Sequence, residues 1–430
     1  LLPPRPGQPP RPVPERIGEP SVFKHVVYVI KENRTYDQVL GDVAEGRGDP
    51  SLCIFGERVT PNQHKLVREF ALLDNTYCSG ILSADGHNWS TAAFATDYLE
   101  KSFGGWPRSY PDGMSEDEVD ALAYAPTGFL WDQALKHGKS FRDYGEFAMP
   151  KVRWRDPARP GRPDWSACWR AYQGLSDDVV IGSEPSLEAL RPHLAAHTVG
   201  WSPEVPDVWK ARLFIEELQV FEREGRFPEL VIIGLTNDHT SGTKAGCPTP
   251  AATVADNDLA FGRIVEALSR SRFWKDTVVF AIEDDPQNGW DHVSGYRTTA
   301  YVASPYTRRG AVVSDFYTTT SILRTIEQIL GLPPMNQFDA CAPTMEACFT
   351  DRPDLTPFTA VPNQVPLDQM NPEPRKLKDP LLKQHALQSG RLDLSRPDAC
   401  PEGVLNRILW AAAKGSAAPF PAWAVTLDPD

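Results

Sequence analysis

Short apolar runs alternate with amphipathic stretches along most of this chain. Residues 26–30 (Val-Val-Tyr-Val-Ile), 230–235 (Leu-Val-Ile-Ile-Gly-Leu) and the end of 274–282 are nearly continuous apolar runs. Runs without polar alternation predict strands buried on both faces, as in a parallel sheet. Segments 70–73, 140–144 and 300–304 read as further strands. Helical periodicity covers 129–137, 209–224, 256–270, 321–330 and, near the end, 404–413. Three of these helices stop at glycines, Gly138, Gly225 and Gly331, the last with Pro333 beyond it. The alternation predicts an α/β fold with a mostly parallel central sheet and helices on both faces.

Proline marks the boundaries of this unit. Residues 1–20 carry Pro3, Pro4, Pro6, Pro9, Pro10, Pro12 and Pro14 and read as an extended linker, which suggests an upstream leader or domain. Residues 21–350 form the folded domain. Within it, 148–208 is rich in Pro, Trp and Arg and reads as a substrate-side insertion. Residues 351–430 are a Pro-rich extension packed on that domain. No internal repeat is present.

Polar clusters follow three of the apolar runs: Glu32-Asn33, Asp238-His239, and the stretch from Glu283 to His292 containing Asp284, Asp285 and Asp291. In a parallel sheet these strand ends share one edge, where open α/β sheets place ligand sites. Carboxylates crowded at one edge repel unless cations hold them, so Asp, Glu and His there point to a divalent metal. Taken singly, each has a plainer reading: Asp238 as a turn residue, His239 as an ordinary histidine, Asn33 as a cap.

Composition narrows the partners. A formal charge of -13 argues against a nucleic-acid surface, which needs a basic stripe. It leaves room for a small phosphorylated substrate, because bound metal reverses the field locally. No apolar run approaches the ~18 residues of a transmembrane segment. Seven cysteines show no Cys-x-x-Cys zinc spacing, and Cys341 and Cys348 are close enough for a disulfide in an oxidising compartment. No signal peptide opens the sequence, which fits a mature or trimmed product. Trp106 and Trp154 read as pocket-lining or core aromatics.

Residues 29–37, Val-Ile-Lys-Glu-Asn-Arg-Thr-Tyr-Asp, resemble the opening Glu-Asn-Arg-Ser/Thr-aromatic-Asp motif of the phosphoesterase family. That family includes bacterial phospholipases C and acid phosphatases within the alkaline phosphatase superfamily. Asp284-Asp285, Gly289 and Asp291-His292-Val293 resemble its second hallmark, and Ser304-Pro305-Tyr306 and residues 320–324 also match. The resemblance runs from about residue 23 to 339. It implies an alkaline phosphatase-like fold and metal-dependent hydrolysis of phosphate esters, either monoesters or phosphodiesters such as phospholipid headgroups. Glu32, Asn33, Asp284 and Asp285 would bind metal near the nucleophile. His87, His239 and His292 would complete a second metal site or grip phosphate, with Asp238 paired to His239. Zinc suits the histidines, and manganese, magnesium or calcium the carboxylates. His87 would also assist the leaving oxygen. Together with the proline-rich leader, the resemblance implies a periplasmic or secreted protein.

The superfamily nucleophile is a Ser or Thr at a helix N-terminus, acidified by metal and helix amides. Thr127 precedes a segment, 128–132, that resembles the family's nucleophile-bearing helix, although the aligned hydroxyl position falls nearer Phe129. Ser83 is the rival, four residues before His87, the Thr-to-His spacing of nucleotide phosphodiesterases in the superfamily. Thr127 is favoured, with Ser83 otherwise a residue of the polar turn 83–87. Attack by metal-bound water is the third route. Phe129 at the aligned position also keeps open a metal-bound binding module without catalysis, and a phosphotransferase or mutase is the alternative within enzymes.

Overall fold

A computed structural model describes residues 2–104, 121–395 and 398–424. Trp106 lies outside the described residues. The central sheet holds β1 (His25–Lys31), β2 (Phe141–Tyr144), β3 (Leu230–Leu235), β4 (Thr277–Glu283) and β5 (Ala300–Ala303), in the spatial order β5-β4-β1-β3-β2. The inner pairings are parallel and only β5 runs antiparallel, along β4. Lys31 stands level with both Leu235 and Glu283. The ends of β1, β3 and β4 therefore meet in one row.

Alternation along each strand sends side chains to opposite faces. Val27, Val29, Val231, Ile233, Val279 and Ala281 pack with α3 (Asp207–Glu224) and α4 (Pro250–Arg270). Val26, Tyr28, Ile30, Ile232, Phe280 and Ile282 pack on the other face with α2 (Leu130–Lys136) and α5 (Thr319–Leu330). With both faces covered, β3 and β4 are buried along their whole length, which is why their sequences show no polar alternation.

Several expectations change. Ala71–Leu73 is a strand, but it pairs in parallel with Ala311–Val313 outside the central sheet. Residues 83–87, read as a polar turn, open helix α1 (Ser83–Ala92). This helix is buried on nearly every side, so it lacks the amphipathic stripe that periodicity detects. Residues 2–20 fold back on themselves: Arg11 N donates to Pro20 O at 3.2 Å, and Glu19 accepts from Arg5 Nε at 2.7 Å. Among its described residues the extension holds two α-helices instead of one, α6 (Pro380–Ser389) and α7 (Glu402–Lys414). Asp379 caps α6, accepting from Leu381 N and Leu382 N. All seven cysteines are free, Cys341 exposed and Cys348 buried. Among the described residues, no helix is long and apolar enough to cross a membrane.

Candidate active site

The site is assembled where the parallel strands end. Glu32 and Asn33 leave β1, Asp238 and His239 leave β3, and Asp284 and Asp285 leave β4. Glu146, two residues beyond β2, adds a fourth strand end. Asn33 takes a left-handed backbone (φ 101°), held by its N–H donating to Glu283 Oε2 at 3.2 Å. Such a backbone is rare for a residue with a side chain and is a frequent mark of a functional turn.

Helix α1 lies against the end of β4. A Cβ on Gly86 would stand 2.8 Å from Asp284 O, so only glycine permits this approach. The helix carries Ser83 and His87 one turn apart on the same face. His87 Nε2 sits 3.1 Å from Glu32 Oε1 and 3.4 Å from Asp284 Oδ2. Glu32, His87 and Asp284 each offer a ligand atom within 4.8 Å of the others, and all three are buried. Among the described residues, neither carboxylate oxygen of Asp284 has a hydrogen-bond partner, and nor does Asn33 Oδ1. Buried carboxylates grouped around one imidazole are costly when ionised, a cost that a bound cation offsets. The donor set, two carboxylates and an imidazole, fits a divalent metal.

The raised carboxylates agree with this reading, and His87 would release its proton on binding a metal. Burial, reinforced by Asp285 and Glu32, holds Asp284 well above the usual carboxylate range. Burial likewise raises Glu32 and pushes Asp285 up to about 7, with Asp398 adding to the latter. His87 is pulled down by burial, but Glu146 and Glu32 outweigh that and raise it well above an ordinary histidine. Glu146 Oε1 lies 2.8 Å from His87 Nδ1, so it fixes the ring and aims Nε2 at the carboxylates. Partners of this kind commonly set metal affinity. Glu146→Ala should therefore weaken metal binding about 10–100-fold, read by competition with a chromogenic chelator. Unchanged affinity would show that Glu146 does not orient a ligand.

Ser83 stands beside the same group. Its Oγ–H donates to Asp285 Oδ2 at 3.1 Å, and Asn33 Nδ2 donates to its oxygen at 3.3 Å. Asn33 Nδ2 also bonds Asp285 Oδ2. Glu32, Ser83 and His239 line one small cavity with Trp201, Leu394, Asp398 and Cys400.

The other expected residues are placed differently. Thr127 is exposed in the turn before α2, and no hydrogen bond among the described residues joins it to the Glu32 group. Asp238 is taken up by structure: it pairs with the buried Lys31 Nζ at 2.7 Å and accepts from Glu32 N at 3.1 Å. Lys31 also pairs with Glu283 at 2.6 Å. His239 packs edge-on to Trp201, with ring centroids 4.7 Å apart. Its Nδ1 is 2.9 Å from Thr240 O and its Nε2 is 2.6 Å from Gln287 Nε2. Burial lowers it to about 3, so the ring is neutral: Nδ1–H donates and Nε2 accepts. His292 belongs to a second group with Asp37 and Asp291. Arg297 binds both of those carboxylates at 2.9 Å and compensates part of their charge. His292 instead lines a cleft of about 780 Å³ that begins at Ile81 and Pro286, close neighbours of Ser83 and Asp285.

Two residues beside the site were missed from sequence. Glu146 follows a strand just as the others do, so that signal was available. Asp398 comes from the proline-rich extension, 315 residues from Ser83 in the chain, and nothing local marks it.

A model of the phosphoesterase family matches residues 48–333, about two-thirds of the chain. The chain belongs to the phosphoesterase family. The match takes in Ser83, His87, Asp284 and Asp285, while Glu32 and Asn33 lie upstream of it. Solved structures similar to this phosphoesterase include a protein in the alkaline phosphatase superfamily from Vibrio parahaemolyticus (15% identity, 75% of this chain and 70% of that one, TM-score 0.44). Others are the lipoteichoic acid synthase LtaP from Listeria monocytogenes (12%, 76% and 77%, 0.43) and the phosphonate monoester hydrolase of Agrobacterium radiobacter (15%, 76% and 77%, 0.44). No curated protein sequence matches the chain.

Proposed function

We propose that this phosphoesterase hydrolyses phosphate esters at a divalent metal held by Glu32, His87 and Asp284, with Asn33 and Asp285 alongside, and that Ser83 is the nucleophile. The observation that carries this reading is the setting of Ser83 Oγ. It lies between Asn33 Nδ2 and Asp285 Oδ2, at the N-terminus of α1 and one turn from His87. Thr127, the residue favoured from sequence, has no such surroundings. Phe129, which had kept a non-catalytic binding module in view, stacks on Trp131 at 4.5 Å within an aromatic core cluster. Its position is explained by packing.

When bound, the metal acidifies the hydroxyl and neutralises phosphate oxygens. The chain's own groups do the rest. Asp285 Oδ2 orients the Ser83 hydroxyl and is the nearest acceptor for its proton. Asn33 Nδ2 and the first amides of α1 point at the place where phosphate charge develops. His87 serves as a ligand fixed by Glu146, rather than as the acid for the leaving group. Zinc suits the imidazole, while manganese, magnesium or calcium suits the carboxylates. The cleft of about 780 Å³ next to Ile81 and Pro286 has room for a headgroup-sized alcohol, which favours phosphodiesters or phospholipid headgroups beside simple monoesters. We also propose a periplasmic or secreted location, on the family resemblance alone.

Chromogenic mono- and diesters assayed with and without chelator, beside elemental analysis of the purified protein, test the reading. We expect chelator-sensitive hydrolysis and bound metal. Hydrolysis that survives complete metal removal would reject the metal, and failure to cleave any ester with every candidate metal supplied would reject the activity.

A further inference from the structure

The catalytic group just described is closed. The cavity shared by Glu32, Ser83 and His239 measures about 10 Å³, no more than a single water molecule needs. A phosphate ester cannot reach Ser83 while the cavity keeps this shape. Part of its cover is the C-terminal extension, which contributes Leu394, Asp398 and Cys400. Asp398 does more than fill space: its Oδ1 accepts from Ser83 N at 2.9 Å and its Oδ2 from Ala84 N at 2.7 Å. Both amides belong to the first turn of α1, a helix of ten residues whose own Asp85 accepts from Ile81 N and Leu82 N but not from these two. Free amides at a helix start are a ready site for an anion. A carboxylate across two of them, beside the candidate nucleophile, stands where two oxygens of a substrate phosphoryl group would bind.

Further features describe a latch. Trp201, from the 148–208 insertion, donates from Nε1 to Leu394 O at 2.9 Å and also covers His239. Asp398 has a left-handed backbone (φ 55°), an uncommon conformation for a residue with a side chain. A dianionic phosphate competes with this carboxylate for the same two amides.

We propose that the C-terminal extension is an autoinhibitory strap, with the Asp398 carboxylate occupying the phosphoryl-binding amides of α1 until substrate displaces it. This rests on the phosphoesterase reading of the Ser83 site. A ligand that must first open a strap binds more weakly by the fraction of molecules that are open. If the strap is closed in nine molecules of ten, Asp398→Ala should tighten inorganic phosphate about tenfold. It should also lower KM for a chromogenic phosphate ester by a similar factor, with kcat unchanged or raised. Trp201→Phe, which loses the Leu394 bond but leaves the amides untouched, should shift both values the same way by less.

Titration calorimetry with orthophosphate on the metal-loaded full chain reads the strap without any turnover. The gain should persist in the Ser83→Ala/Asp398→Ala double variant, which keeps both amides. Loss of turnover in Ser83→Ala with the phosphate gain intact concerns the nucleophile alone. An active Ser83→Ala variant would refute the nucleophile and leave the strap standing. Asp398→Ala that lowers the melting temperature with no gain in phosphate affinity would make Asp398 a simple helix cap and overturn the proposal. A fall in metal content in that variant would overturn it too, by making Asp398 a ligand. Asp398→Asn, which keeps an acceptor without the charge, should fall between wild type and Asp398→Ala.

Discussion

Ser83→Ala should reduce kcat by a factor on the order of 10³ or more, the scale seen when a covalent nucleophile is removed. Metal content should stay near wild type, because the hydroxyl is held by Asn33 and Asp285 and lies outside the group formed by Glu32, His87 and Asp284. Thr127→Ala should stay within about twofold of wild type, as expected for an exposed turn residue that no hydrogen bond among the described residues joins to the Glu32 group. Single-turnover kinetics with metal analysis on both variants decides the matter. If Thr127→Ala is dead and Ser83→Ala active, the nucleophile has been misassigned. If both remain active while ligand variants are dead, metal-bound hydroxide attacks directly.

Asp284→Asn should abolish both tight metal binding and turnover, yet make the metal-free protein more stable. The sign follows from the raised pKa of Asp284. Burial and the neighbouring carboxylates hold it well above its unfolded value, so the folded chain binds more protons than the unfolded one. Stability of metal-free wild type therefore falls as pH rises from about 4 toward the higher folded value. Metal reverses the loss, by about 2.7 kcal/mol at a free concentration one hundred times its Kd. In thermal melts at pH 5 and pH 8, wild type should lose most from chelator at the higher pH. The Asp284→Asn variant should melt alike with and without chelator. Wild type melting identically in both conditions would show that no metal stabilises this cluster.

The sheet was legible because its cause is local. Val26–Ile30, Leu230–Leu235 and the run through Ile282 are apolar on both alternations, and a strand buried on two faces needs that composition wherever it sits. Glu32, Asn33, Asp284 and Asp285 were legible for a related reason, since polar residues directly after such runs fall on one edge once the strands are parallel. Helix α1 was not. Ser83-Ala84-Asp85-Gly86-His87 has the composition of a turn, and it is helical because its surroundings bury it and Gly86 lets it touch β4.

Choices between chemically equivalent residues belonged to the tertiary structure. Sequence favoured the Thr127 hydroxyl over that of Ser83, and only packing sets Ser83 beside Asn33 and Asp285. It offered Asp238 and His292 as ligands, and only the fold supplies the Lys31 and Arg297 cations that engage Asp238 and the Asp37–Asp291 pair around His292. Strand propensity, apolar runs and strand-end polarity act over a few residues, so the sequence by itself determined the α/β fold and the edge that carries the site. Charge pairing, orphaned carboxylates and the reach of Asp398 to α1 join positions tens to hundreds of residues apart. Those were decided only when the chain closed on itself.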